Sequence, residues 1–434
     1  MSIEKISSNP NSFEQYREEY LTKVVDALYK DPDHPEKEPR SRSIIYVPYH
    51  GVSEHLQQNR PNIVFADRAG QEVVEAVAKA DVIINIARGE EVVEAEIGHP
   101  DRNVKLPPES VANTDMVSDL YVRAMESGNT NVQVVHTGRM NNKTIAMATA
   151  MPILAESAGL NYEEVIHTSD AKIRQLVEEK QVDLNDLMHE VDTDPTMQDM
   201  QVCTRALRRI YEARHIDPDT ASSSELTDAL LDEYKNYPRI STSTLMKEQM
   251  LQSVAEKLRS EGKSEKEINE VVEKLDEFTD EEPDSVDTVT NFTNSIPMIL
   301  SDKLIKNGYN ADEVGAMSTE QKMELLADTE MTAVIVADIA HMPRVMWLAD
   351  YLMPDNFKLV FVESRTDLDE ETLQKSMERE ERSFGLGNNW LSNQMGTRNP
   401  AKVGELADNA YWGKDSISNK EINDKLKNTT NLTK

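Results

Sequence analysis

The spacing of apolar residues changes along the chain. Between positions 13 and 28 it is helical: Tyr16, Tyr20, Val24, Val25 and Leu28 share one face. Ser12 followed by Gln15 is a capping-box pattern that opens this helix. Asp31–Arg40 holds three prolines among many charges and reads as a linker. From Ser43 the pattern becomes short, continuous, β-branched runs. Ser43–Pro48, Asn62–Ala66, Asp81–Ala87 and Asn131–His136 are of this kind, with Glu164–His167 a shorter candidate. Met331–Ala337 and Phe357–Glu363 repeat the pattern far downstream. A helix is expected over Thr114–Met125, and another between the last two runs. Apolar runs alternating with helices predict an α/β domain whose mainly parallel sheet is covered on both faces.

Between positions 169 and 283 no such run occurs. Met197, Met200, Leu207, Ile210 and Tyr211 mark one helical face. Ser222 and Glu225 form a capping box before Leu226, Leu230 and Leu231. Gly262 stops one helix, and Ser264 with Glu267 starts the next, which carries Ile268, Val271, Val272, Leu275 and Phe278 at 3/4 spacing. The block is therefore expected to be an all-helical insertion. The expected organisation is an N-terminal helix and linker (1–40), an α/β domain in two pieces (41–168 and 284–385), the insertion (169–283) and an extension (386–434) that ends in a polar stretch.

Composition changes this picture mainly through charge. The 434 residues include 47 Lys and Arg against 79 Asp and Glu, a net charge of −32. A field of that sign repels phosphate, so neither nonspecific nucleic-acid binding nor anionic membrane binding is expected. Residues 255–284 alone hold twelve acids and five bases, which predicts a solvated, negative outer face. The apolar share of 38% still suffices for a large core. No run approaches the ~18 consecutive apolar residues of a membrane span. The first residues lack an apolar signal region, and a single cysteine, Cys203, excludes an internal disulfide. A cytoplasmic location is the expectation.

Most apparent motifs fail on their chemistry. Thr137–Thr144 ends in Lys-Thr after a strand, as a phosphate loop does. Thr137 and Asn142 stand where such a loop needs glycine. His50-Gly-Val-Ser-Glu54-His55 has neither zinc-protease spacing, and the remaining histidines form no ligand set, so no metal is expected. Cys203 falls in the apolar register of a helix and reads as a core residue. No Gly-x-Ser-x-Gly elbow and no Gly-x-Gly-x-x-Gly fingerprint is present.

Three junctions survive. The first is Val134-Val-His136-Thr137-Gly138-Arg139, at a strand end. The second is Asp338-Ile-Ala-His341-Met-Pro343-Arg344, where Pro343 suits the first helical position and puts His341 at the helix start and Arg344 in its first turn. In the third, Ser285 can cap a helix on which Thr288 and Asn291 share a face. In a parallel sheet, strand ends that feed helices gather on the carboxyl edge, where ligands bind. Arg139 and Arg344 are the expected counter-charges for an anion there. Arg88 and Gly89 after one strand, and Glu363 at the end of the last, reach the same edge.

In order and in context, Ser-x-x-Thr-x-x-Asn at 285–291 and His-Met-Pro-Arg at 341–344 resemble the YdcF-like family. This is the domain of unknown function 218 group that includes SanA and ElyC. The Thr137-Gly138 step, the strand Asp81–Ala87 with Arg88-Gly89, and the run Ala148–Ile166 are similar to other parts of that family. The resemblance covers about 81–168 and 284–363. It implies a Rossmann-like three-layer α/β/α sandwich and, through one member, S-adenosylmethionine as a ligand to test. Three functions follow as expectations. One is an enzyme acting on a small anionic or nucleotide-like metabolite, with His341 as general acid or base, Asp338 beside it, and Thr288 and Asn291 orienting the substrate. Another is an S-adenosylmethionine-binding sensor. The third is an interaction protein whose block 169–283 docks a protein partner.

Overall fold

The computed structural model describes residues 13–29, 42–49, 52–57, 62–87, 93–94, 104–138, 170–180, 183–193, 207–208, 211–212, 214–236, 241–283, 285, 288–364 and 366–390. The chain divides into two compact units. One draws on residues 1–88, 108–138 and 246–406, the other on 89–107, 139–245 and 407–434.

The first unit is built on a seven-stranded sheet, parallel at every pairing. Its strands are β1 (Ile44–Val47), β2 (Ile63–Phe65), β3 (Val82–Ile86), β6 (Gln133–Thr137), β7 (Thr279–Glu282), β8 (Met331–Asp338) and β9 (Phe357–Ser364). The strands β4 (Val93–Glu94) and β5 (Val104–Lys105) form a separate antiparallel pair. All five residues of β3 and all eight of β8 are buried, as expected of central parallel strands covered on both faces.

Alternate strand residues serve opposite helical layers. Ile45, Ile83, Val134, Val334 and Val360 pack into one cluster with four helices: α3 (Gln71–Ala78), α4 (Pro108–Glu126), α8 (Thr242–Ser260) and α9 (Glu265–Glu277). Tyr46, Ile84, Ile335 and Phe361, of the other parity, are equally buried. Their layer contains α1 (Phe13–Tyr29), α10 (Thr288–Lys306), α13 (Met342–Leu352) and α14 (Glu370–Trp390). The unit is a Rossmann-like three-layer α/β/α sandwich. Each fully buried Leu, Ile or Phe contributes roughly 1.5–3 kcal/mol.

Local rules hold where they were legible. Gly262 ends α8 with φ 81°. The α9 capping box forms: Glu267 N donates to Ser264 Oγ (3.3 Å) and Ser264 N to Glu267 Oε2 (2.9 Å). Pro343 lies in the first turn of α13. Helix α4 begins at Pro108 rather than Thr114, since a proline is well suited to a first turn.

The all-helical reading of 169–283 needs correction. Helices α8 and α9 cover the sheet, and Thr279–Glu282 is its edge strand, pairing with β6. Hydropathy cannot flag Thr-Asp-Glu-Glu as a strand. Charges suit an edge, where they discourage pairing with other chains. In the second unit, α7 (Ser223–Asn236) packs against α5 (Asp170–Lys180) and α6 (Leu184–Thr193). The expected cap there is made, with Glu225 N donating to Ser222 Oγ at 3.2 Å. The linker 31–40, the phosphate-loop-like stretch 139–144, the candidate strand 164–167 and Cys203 lie outside the described residues. Among the described residues, no helix is long and apolar enough to cross a membrane.

Candidate functional site at the carboxyl edge of the sheet

The strand order β2-β1-β9-β8-β3-β6-β7 contains one reversal that matters. Counted from β3, the strands β7-β6-β3-β8-β9 stand as 3-2-1-4-5, the doubly wound order. The winding changes direction between β3 and β8. Ligands in such sheets bind in the crevice beyond the carboxyl ends of those two strands.

Strand β8 ends in Asp338, which is fully buried. Its Oδ1 accepts from the backbone N–H groups of Ala340 (3.0 Å) and His341 (3.2 Å). These bonds give Asp338 a turn-making role. It sets His341 at the start of α13. There the His341 ring meets α10: Nε2 lies 2.9 Å from Thr288 Oγ1 and 3.3 Å from a terminal nitrogen of Arg344. A guanidinium can only donate, so Nε2 accepts. The imidazole is then neutral at Nε2, and the Thr288 hydroxyl donates to it. Segments 288–291 and 341–344 therefore do converge, as their motifs suggested. Asn291 lies one turn beyond Thr288 and is buried.

Other expectations change. Arg344 is not a waiting anion ligand, because its Nε sits 2.6 Å from Glu380 Oε2. Glu363 is consumed as well. It pairs with Arg17 at 2.8 Å, accepts from the Tyr46 hydroxyl and takes the Tyr49 N–H at 2.7 Å, with both charged side chains almost wholly buried. Burial, then Glu363, raises Tyr46 well above its ordinary pKa. The expected Ser285 cap is not made among the described residues, where its buried Oγ has no hydrogen-bond partner. Arg88, Gly89 and Arg139 lie outside the described residues.

Strands β3 and β6 are tied together by polar groups. Thr137 Oγ1 donates to Asn85 O (3.3 Å) and accepts from Ala87 N (3.4 Å). Gly138 takes φ 155°, a value side chains rarely allow, while its N–H reaches Glu282 O at 3.0 Å. Asn85 Nδ2 donates to Thr114 Oγ1 (3.1 Å) and to His136 Nδ1 (3.0 Å). Burial pushes His136 down to about 3, with Lys247 adding to the effect, so the ring is neutral. Asn113 joins two strand ends, β3 and β9: Nδ2 donates to Ile86 O (2.8 Å), and Oδ1 accepts from Ser364, the register partner of Asp338 on the strand between them.

Two residues absent from the sequence reading complete this edge. Arg68 follows β2. It donates to Glu363 O (2.8 Å) and lies over the Tyr49 ring at 5.6 Å. Arg123 of α4 donates to Arg68 O at 3.3 Å. Neither guanidinium forms an ion pair with a described carboxylate. The nearest charges are spent, Glu363 on Arg17 and Asp119 on Lys257. Burial is the chief cause lowering the Arg68 pKa from its ordinary value, and Arg123 lowers it further. The available signal was an arginine two residues after a short strand run and three before a helix. Among the described residues no cluster could hold a metal ion.

Comparison with protein-family models, curated proteins and solved structures returned no match.

Proposed function

We propose that the sheet unit binds a small anionic, nucleotide-like metabolite at its carboxyl edge, in the manner the YdcF-like resemblance implies. Arg68 and Arg123 supply the positive charge. One observation carries the reading. In a chain of net charge −32, Arg68 and Arg123 form no ion pair with a described carboxylate, Arg68 lying on the Glu363 carbonyl at the end of β9 and Arg123 on the Arg68 carbonyl. Charge-assisted hydrogen bonds to phosphate are what such groups make best. Asp338, His341, Thr288 and Asn113 act as the rigid polar rim, their bonds fixed before a ligand arrives. The proposal is one of binding, with His341 in a positioning role.

S-adenosylmethionine fits less well. Its sulfonium would be repelled by Arg68 and Arg123, whereas the phosphates of a nucleotide would be attracted.

Calorimetric titration with ADP, inorganic phosphate and S-adenosylmethionine tests the reading. ADP is expected to bind, and S-adenosylmethionine is not. Arg68→Ala should weaken ADP by about tenfold or more, from the loss of about 1.5–3 kcal/mol of charged hydrogen bonding. Unchanged ADP affinity in that variant, or no phosphate compound bound at millimolar concentration, would overturn it.

A further inference from the structure

Arg68 stays unpaired beside a carboxylate. Its guanidinium donates to the backbone oxygen of Glu363 at 2.8 Å, so the Glu363 side chain starts from the same residue that holds Arg68. Glu363 and Asp119 are the carboxylates whose charge is felt at Arg68. An arginine next to a carboxylate ordinarily takes it through two parallel hydrogen bonds. Neither acid is taken here. Asp119 is half-exposed, screened by solvent and paired with Lys257. Glu363 is wholly buried and is the stronger competitor.

What withholds Glu363 lies on α1. Glu363 Oε2 accepts from Arg17 at 2.8 Å and from Tyr49 N at 2.7 Å, while Oε1 accepts from the Tyr46 hydroxyl. Among the described residues Arg17 pairs with no other acid. Docking α1 does not call for a charge at position 17. Tyr20, Leu21, Val24, Val25 and Leu28 already bury its apolar face, and well-packed apolar residues generally stabilise as much as a buried ion pair. Glu363 has a use of its own. Its carboxylate holds the Tyr49 N–H and its carbonyl holds Arg68, and the Tyr49 ring lies 5.6 Å from that guanidinium. The carboxylate is thus required next to Arg68, and its charge has to be cancelled by another cation.

We propose, resting on the anion-binding reading of Arg68 and Arg123, that Arg17 is a positioning residue of that site: by neutralising Glu363 it keeps this carboxylate from capturing Arg68. Helix α1 is then part of the anion site without touching the anion.

The test is calorimetric titration of ADP and inorganic phosphate into the full chain, its Arg17→Met variant and the Arg17→Met/Glu363→Gln double variant. Arg17→Met should weaken ADP by about tenfold or more, as the loss of a charged hydrogen bond does. The double variant, which has no carboxylate to capture Arg68, should return to within about twofold of the native affinity, the scatter of independent changes. Had Arg17 only tied α1 to the sheet, the double variant would bind as weakly as the single one. Arg17→Gln, which keeps an N–H donor but no charge, serves if Arg17→Met does not fold. A second readout needs no ligand. In urea unfolding, Arg68→Ala should lower the midpoint further in the Arg17 variant than in the native chain, because Arg68 is there paired with Glu363. Native ADP affinity in the Arg17 variant, a double variant as weak as the single, or an equal cost of Arg68→Ala in both backgrounds would overturn the role of Arg17 and leave the arginine site standing. A native chain that binds no phosphate compound at millimolar concentration would overturn the site, and the role of Arg17 with it.

Discussion

The two edges of the sheet end up with opposite chemistry left over. At the carboxyl edge the acids are consumed: Glu363 by Arg17 and two further donors, Glu380 by Arg344, Asp338 by backbone N–H groups. Arg68 and Arg123 remain. At the amino edge the cations are consumed, Lys303 by Asp81 and Lys306 by Asp302, and the Gln133 oxygen remains. Net charge does not foretell this. A chain with far more acids than bases still has, among its described residues, two arginines at one edge that no carboxylate pairs, because pairing is decided by which neighbours the fold supplies.

The contrast in burial gives the largest expected effect. The Arg17–Glu363 pair is about 1% and 0% exposed, so removing one partner strands a charge. Glu363→Ala should lose about 3–5 kcal/mol in urea unfolding. A loss below about 1 kcal/mol would show that the edge relaxes and that burial there is not what separates the two sides.

An intermediate effect belongs to His136, near the carboxyl end of β6. Its folded pKa of about 3 lies below the ordinary 6.5. At pH 7 the ring is neutral in the folded chain and mostly so in the unfolded one, so the shift has little effect. Below about 6.5 the unfolded chain takes up a proton that the folded chain refuses, so stability falls with falling pH until about 3. The slope is at most about 1.4 kcal/mol per pH unit. His136→Gln should remove that part of the acid sensitivity, as read from unfolding curves between pH 7 and 4.5. An unchanged slope would mean that solvent reaches the ring.

The smallest effect is expected at the amino edge. Lys303 and Asp81 are each about one-fifth exposed, and Asp81 keeps its Thr332 N–H bond when the lysine is lost. Lys303→Met should cost no more than about 1 kcal/mol. A cost near that of Glu363→Ala would erase the distinction between the edges.

The strands that carry the crevice were legible in the chain because each is an apolar run long enough to cross the core: Asp81–Ala87, Asn131–His136, Met331–Ala337 and Phe357–Glu363 each contain or overlap a strand. So was the meeting of Thr288 with His341, through their motifs. Arg68 and Arg123 were not legible. An arginine reads alike whether or not a carboxylate faces it, and its neighbours are 55 positions apart in sequence.

Sequence alone determined the layered α/β class, most strand positions, the α9 cap and the absence of a long apolar span, since these depend on local spacing and hydropathy. Tertiary structure alone decided the strand order and its reversal between β3 and β8. It also recruited Thr279–Glu282 as an edge strand and chose which charges were neutralised. Those outcomes depend on distances between residues far apart in the chain, and no local pattern encodes such distances.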